Sequence, residues 1–219
     1  EDDSLMRRGK PTLHKIYGIE QGINAGDSLH AIMWKILFDN LKLLGSEKTA
    51  AIFNEFYSIM MRTTLGQTVD IKWFRENNLD FTDRDWYFIA DGKSSYYTIT
   101  GPIRLGAILA GADKKQLELL TNFGLQLGRC FQLVDDILDV TSDFRGLKKQ
   151  IGNDVFEGKR TILLGHLLRS AKKKDKEKIV DILSRKREEK KETEVSWIIE
   201  RMHAYKSIDY AKNLARKHK

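Results

Sequence analysis

The chain has 219 residues, long enough to bury a sizeable core within one large domain. A single cysteine, Cys130, excludes a disulfide framework. Together with five histidines that lack zinc-ligand spacing, it also excludes a structural zinc site. The formal net charge is +7, from 38 basic against 31 acidic residues. That balance suits anionic partners without separating nucleic acid, membrane surface and diphosphates.

Two prolines, few apolar alternations and repeated i, i+3, i+4 patterns predict an all-α protein. No apolar run approaches about 18 residues and nothing resembles a signal peptide, so a soluble, cytoplasmic chain without a transmembrane segment is expected.

The chain opens on EDDSLMRRGKPTLHKIYG, where the planar forks of Arg7 and Arg8 suit phosphate oxygens or simply a solvated surface. Residues 20–44 predict a helix with Leu29, Ile32, Met33, Ile36, Leu37 and Leu41 on its core face and Gly45 as its stop. Ser46 is the candidate N-cap of the next helix, which runs to about residue 68 over a core of Ile52, Phe53, Phe56, Met60 and Leu65. At its end, Gln67 and Asp70 either line a cavity or bond the helix terminus.

Thr82 with Asp85 reads as a capping box. Gly92, Lys93 and Ser94 imitate the end of a P-loop, but that motif needs glycine where Tyr87 stands, so nucleotide binding is excluded. Gly101 and Pro102 predict a kink, and Gly111 and Asp113 punctuate the turn into a central helix.

Within that helix Asp135, Asp136 and Asp139 stand at i, i+1 and i+4, on one side and within reach of a shared ion, with Gln132 a turn earlier. At about 100° per residue, Leu127, Phe131, Val134 and Leu138 gather on a separate apolar face. Cys130, Leu133 and Ile137 make the remaining arc apolar too. A helix apolar on every side but one is expected to be buried, with its carboxylates facing a wet or metal-filled cavity. Mg²⁺ suits such a cluster, because it takes hard oxygen ligands and bridges one or two carboxylates to substrate phosphates. The alternative is a solvated helix face. Lys149, Asp154, Lys159 and Arg160 follow in a glycine-punctuated loop, putting base for phosphate beside acid for metal. Residues 161–171, 174–185 and 191–204 predict three further helices, and KKKDKEK, followed later by KREEKKE, is a solvated face or else a contact for a membrane surface or an acidic partner.

FQLVDDILD followed by KQIGNDVFEGKRT resembles the second aspartate-rich motif and downstream loop of the trans-isoprenyl diphosphate synthases. The opening resembles the end of that family's first motif, DDxxD, with Asp2 as its last aspartate and the paired arginines after it. QGINAGDSLH and the Gly66, Gln67, Asp70 segment match in order. GKSSYYTITGPIRLG resembles the Lys-Thr motif in its farnesyl diphosphate synthase form, with Ser94 in place of threonine and the helix broken afterwards. SIDYAKNLARKHK resembles the beginning of the C-terminal region, so a single domain truncated at both ends is expected.

The resemblance implies an all-α isoprenoid-synthase bundle around a central cavity. It implies a homodimer that condenses isopentenyl diphosphate with an allylic diphosphate, by Mg²⁺-assisted ionisation, to farnesyl or geranylgeranyl diphosphate. In that frame Asp2, Asp135, Asp136 and Asp139 hold metal. Arg7, Lys93, Lys149 and Lys159 bind the allylic diphosphate, Arg8 binds isopentenyl diphosphate, and Gln132 and Ser94 offer polar oxygens to the cation. Lys93, Gln132 and Asp135 are the expected catalytic residues, and nucleic acid has no part. A terpene cyclase is the nearest alternative, although cyclases carry an Asn-Ser-Glu type second metal site where this chain has DDILD. A non-catalytic subunit of a heteromeric synthase is the other, although such subunits typically lose aspartates that this chain keeps.

Overall fold

The computed structural model describes residues 6–7, 9–141 and 151–218, the side chain of Arg7 excepted. The architecture is all-α apart from a short antiparallel pairing of β1 (Met6–Arg7) with β2 (Lys10–Pro11). The chain divides into two compact units, Glu1–Glu55 and Phe56–Lys219.

The first unit holds α1 (Leu13–Tyr17), α2 (Ile19–Asp39) and the start of α3 (Leu41–Arg75). Gly45 interrupts the helix where expected, at φ 75°, a left-handed value that glycine adopts without strain. A second interruption at Asn40 was not legible in the periodicity. Its side-chain amide donates to Ile36 O at 2.9 Å, an alternative to the helical ladder that asparagine favours. Trp34 packs on Phe53 with ring centroids 5.4 Å apart. Leu37 is buried as expected, but Leu29, Ile32 and Ile36 are exposed. Periodicity shows that a face needs cover without showing what covers it, and among the described residues of the first unit α1 and the start of α3 leave this stripe of α2 open.

The second unit holds the rest of α3 and then α4 (Asp83–Ile89), a π-helical segment (Ala90–Thr100) and α5 (Gly101–Leu109). The central helix α6 (Lys114–Thr141) follows, then α7 (Asn153–Glu157), α8 (Ile162–Ser170), α9 (Lys173–Ser184), α10 (Glu192–Ala204) and α11 (Ser207–Lys217). The capping box forms: Thr82 Oγ1 accepts the Asp85 N–H, and Asp85 Oδ2 accepts the Thr82 N–H at 2.9 Å.

Two expectations about helix ends are corrected. Helix α3 runs past residue 68 to Arg75, so Gln67 and Asp70 lie inside a helix and not at its end. Gly66 is kept there for close approach, since a Cβ would lie 2.9 Å from the Lys93 backbone nitrogen. The helix also does not break at Gly101 and Pro102. It widens beforehand into the π segment, and Pro102 falls in the first turn of α5, where a missing N–H costs little.

The core is built by Leu163, Leu164 and Leu167 of α8, Ile179 and Ile182 of α9, and Ile198 and Met202 of α10, all essentially sealed from solvent around Leu133 of α6. These three helices follow the predicted ranges closely, and Lys172, Lys173, Lys174, Lys176 and Lys178 form a solvated face. The expectation that α6 is buried all round is corrected. Leu127, Phe131 and Val134 are 43%, 53% and 44% exposed, because α6 packs on the side of Leu133 and leaves the opposite stripe uncovered by the described residues. Among the described residues no helix is long and apolar enough to cross a membrane.

Candidate active site

The π segment lies against α6, and two glycines let the backbones meet. A Cβ on Gly124 would lie 2.9 Å from the Thr100 Cα, and one on Gly128 would overlap Ser95. Arg129 locks the crossing through paired bonds to Asp91, Nε to Oδ1 at 2.7 Å and Nη2 to Oδ2 at 2.5 Å, while its guanidinium lies over the Tyr87 ring. On the next turn of α6, Ser94 donates its hydroxyl to Gln132 Oε1 at 2.7 Å. Lys93 pairs with Asp70 of α3 at 2.7 Å, half-exposed. Ser94 and Gln132, chosen from sequence, are thus brought together, while Lys93, next to Ser94 in the chain, turns its ammonium to Asp70.

The three aspartates of α6 are separated by their surroundings. Asp135 is exposed and Asp139 half-buried, one turn apart on one side. Asp136, about 100° further round than Asp135, is turned inward and only 3% exposed. Its Oδ2 accepts the Trp86 indole N–H at 3.2 Å and its Oδ1 accepts the Gln132 amide at 2.8 Å. Burial pushes the pKa of its carboxyl upward and repulsion from Asp154 and Asp135 adds to the rise, while the Gln132 and Trp86 N–H groups favour the ionised form and oppose it.

The downstream loop docks on the last aspartate. Asp139 O accepts the Gly152 N–H at 2.8 Å and Asp139 Oδ2 accepts the Asp154 N–H at 3.1 Å. Lys159 donates to Asp154 at 2.8 Å and lies 2.8 Å from Glu157. Burial opposes the Lys159 ammonium, but these two carboxylates outweigh it and hold its pKa above the usual lysine value. Arg160 is buried and structural, donating to Asn78 O at 2.8 Å and to Asn77 Oδ1 at 3.0 Å.

Among the described residues no three acidic, histidine or cysteine side chains form a group able to hold a metal ion. The carboxylate pair Asp135 and Asp139 nevertheless fits Mg²⁺, which takes one or two carboxylates and completes its shell with water and substrate phosphate. Asp2, Arg8 and Lys149, and the side chain of Arg7, lie outside the described residues. Trp86, Asp91 and Arg129 were not singled out from sequence. Trp86 meets Asp136 across 50 positions, a distance that no local pattern spans.

Residues 1–202 match the polyprenyl synthetase family, and the chain belongs to it. It is 35% identical over 217 residues to the geranylgeranyl diphosphate synthase of Sulfolobus acidocaldarius, covering 99% of this chain and 64% of the relative. The crystal structure of geranylgeranyl pyrophosphate synthetase from Pyrococcus horikoshii superposes with a TM-score of 0.85 at 28% identity, over 99% of this chain and 64% of that one. A Corynebacterium glutamicum geranylgeranyl pyrophosphate synthase, complexed with isoprenyl diphosphate and magnesium, gives a TM-score of 0.85 at 26% identity with the same coverage. The chain therefore spans slightly less than two thirds of the length of these relatives.

Proposed function

We propose that this chain carries the active centre of a Mg²⁺-dependent short-chain trans-prenyltransferase, which joins isopentenyl diphosphate to an allylic diphosphate and makes geranylgeranyl or farnesyl diphosphate. The observation that supports this most is the placement of Lys93 and Ser94 on one turn of the π segment, with Ser94 bonded to Gln132 one turn before the carboxylates of α6. Cation, polar oxygen and metal-type carboxylate then follow in the order a departing diphosphate needs.

Asp135 and Asp139, with Asp2, are assigned to the metal. The chemistry Mg²⁺ supplies when bound is neutralisation of the leaving diphosphate. Lys93 and Lys159, held by Asp70 and by Asp154 and Glu157 in this structure, exchange those carboxylates for phosphate oxygens. Arg7 and Lys149 join them on the allylic diphosphate, and Arg8 takes the diphosphate of the nucleophile. As the allylic C–O bond breaks, Gln132 Oε1 and the Ser94 oxygen face the developing cation. The isopentenyl double bond attacks it, and the proton lost afterwards goes to the departed diphosphate.

We assign a cytoplasmic homodimer. The exposed Leu29, Ile32 and Ile36 face of α2 supplies apolar surface that a second copy would cover.

The test is to give the natural-length protein isopentenyl diphosphate with dimethylallyl, geranyl or farnesyl diphosphate in turn, and to resolve products by chain length with Mg²⁺ or chelator. A Mg²⁺-dependent C20 or C15 diphosphate is expected. An allylic substrate turned to hydrocarbon without elongation would mean a cyclase, and no turnover at all a non-catalytic subunit.

A further inference from the structure

We infer that Asp136 is a positioning residue, not a metal ligand, and that together with Trp86 it dictates which end of the Gln132 amide faces Ser94. Three bonds form one series across α4, α6 and the π segment: Trp86 Nε1 to Asp136 Oδ2 at 3.2 Å, Gln132 Nε2 to Asp136 Oδ1 at 2.8 Å, and Ser94 Oγ to Gln132 Oε1 at 2.7 Å. An indole N–H can only donate, and Trp86 is 4% exposed, so it cannot turn away to water.

The polarity of the series starts at that indole. Both oxygens face N–H donors, an arrangement that the carboxylate satisfies and a protonated carboxyl does not, so Asp136 accepts at both; the amide gives its NH₂ to Asp136 and turns its oxygen toward Ser94. Lys93 is the neighbouring residue on that same segment. An oxygen there meets a developing positive charge with the negative end of the amide dipole, whereas a reversed amide would meet it with N–H. Both Asp136 oxygens are engaged inside the protein, while Asp135, one position earlier, stands exposed.

Asp136→Asn tests this, because it replaces one acceptor by a donor while both sites face donors. Trp86 cannot turn, so the new oxygen must serve the indole and the new NH₂ must face Gln132. The glutamine amide then turns over, its NH₂ bonding the Ser94 oxygen, and the number of hydrogen bonds is kept. Adding Trp86→Phe removes the fixed donor and lets the asparagine oxygen face Gln132 again, restoring the original amide.

In the natural-length protein, kcat is expected to fall about tenfold or more in Asp136→Asn, with KM and the Mg²⁺ concentration for half-maximal rate unchanged, and to recover in the double variant. A raised Mg²⁺ requirement in Asp136→Asn would make Asp136 a metal ligand. A double variant no better than the single one would show that the polarity of the series is not what matters.

The activity readouts rest on the prenyltransferase reading; an amide spectrum does not. In Asp136→Asn the Trp86 indole N–H resonance should keep its hydrogen-bonded position while the Gln132 side-chain resonances move. If the indole resonance moves and those of Gln132 stay, the inference fails. If wild type makes no product, the functional reading fails and the spectrum still decides this one.

Discussion

The crossing of the π segment over α6 and the loop that follows α6 both gather polar groups beside the same carboxylates, but they hold them by different means. At the crossing, glycines bring backbone against backbone, and Ser94, Gln132, Asp136 and Trp86 are fixed by directional hydrogen bonds. In the loop, Lys159 is held by opposite charge, and Lys190, which lies just before α10, braces it through the carbonyls of α7: Nζ donates to Phe156 O at 2.7 Å and to Val155 O at 3.3 Å. In the proposed reaction, hydrogen-bonded geometry presets the place where charge develops. Ion pairs hold cations in reserve that a polyanion can take over by competing with their carboxylates. The first arrangement should therefore govern kcat and the second substrate affinity.

The largest expected effect is at Asp135. Asp135→Ala should lower kcat about a thousandfold or more and raise the Mg²⁺ requirement, measured by steady-state product formation across a Mg²⁺ titration. Next, Gln132→Leu should lower kcat about a hundredfold, whereas Lys159→Ala should mainly raise KM for the allylic diphosphate, about tenfold. Equal kcat losses in these two variants would break the comparison.

Gly128→Ala probes the crossing directly. A methyl group there overlaps Ser95, a backbone neighbour unable to yield as a flexible side chain would, and urea denaturation should show a loss of about 2 kcal/mol.

The smallest effect belongs to Lys190, which braces that loop from just before α10. Burial, then repulsion from Arg160 and Arg187, lowers the pKa of Lys190 to about 8 from its ordinary 10.5. Below pH 8 both folded and unfolded chains are protonated there and the penalty is constant. Between about pH 8 and 10.5 only the unfolded chain keeps the proton, so stability rises with pH. Lys190→Met should abolish a rise on the order of 1–2 kcal/mol, read from denaturation midpoints at pH 7.5 and 10, about the ends of that window.

Local chemistry was legible where one stretch of chain decides it. The Thr82 and Asp85 capping box, the α8 to α10 helices and the one-turn spacing of Asp135 and Asp139 follow from neighbouring residues alone. Long-range partnerships were not. Asp70 meets Lys93 and Asp91 meets Arg129 only because helices cross, and GKSSYYTIT shows no pattern announcing wider turns. The spacing that grouped Asp136 with Asp135 and Asp139 was blind to Trp86, which occupies the space on its side of α6. Apolar stripes were visible on α2 and α6, but periodicity is silent about cover.

The most direct test of a metal-bridged diphosphate site on α6 is calorimetric titration with inorganic diphosphate, in Mg²⁺ and in chelator, for wild type and Asp135→Ala. Binding in Mg²⁺, lost in chelator and in the variant, is the predicted result. Equal binding with and without the metal would contradict the assignment of Asp135 and Asp139 as the carboxylates through which this protein grips its substrate.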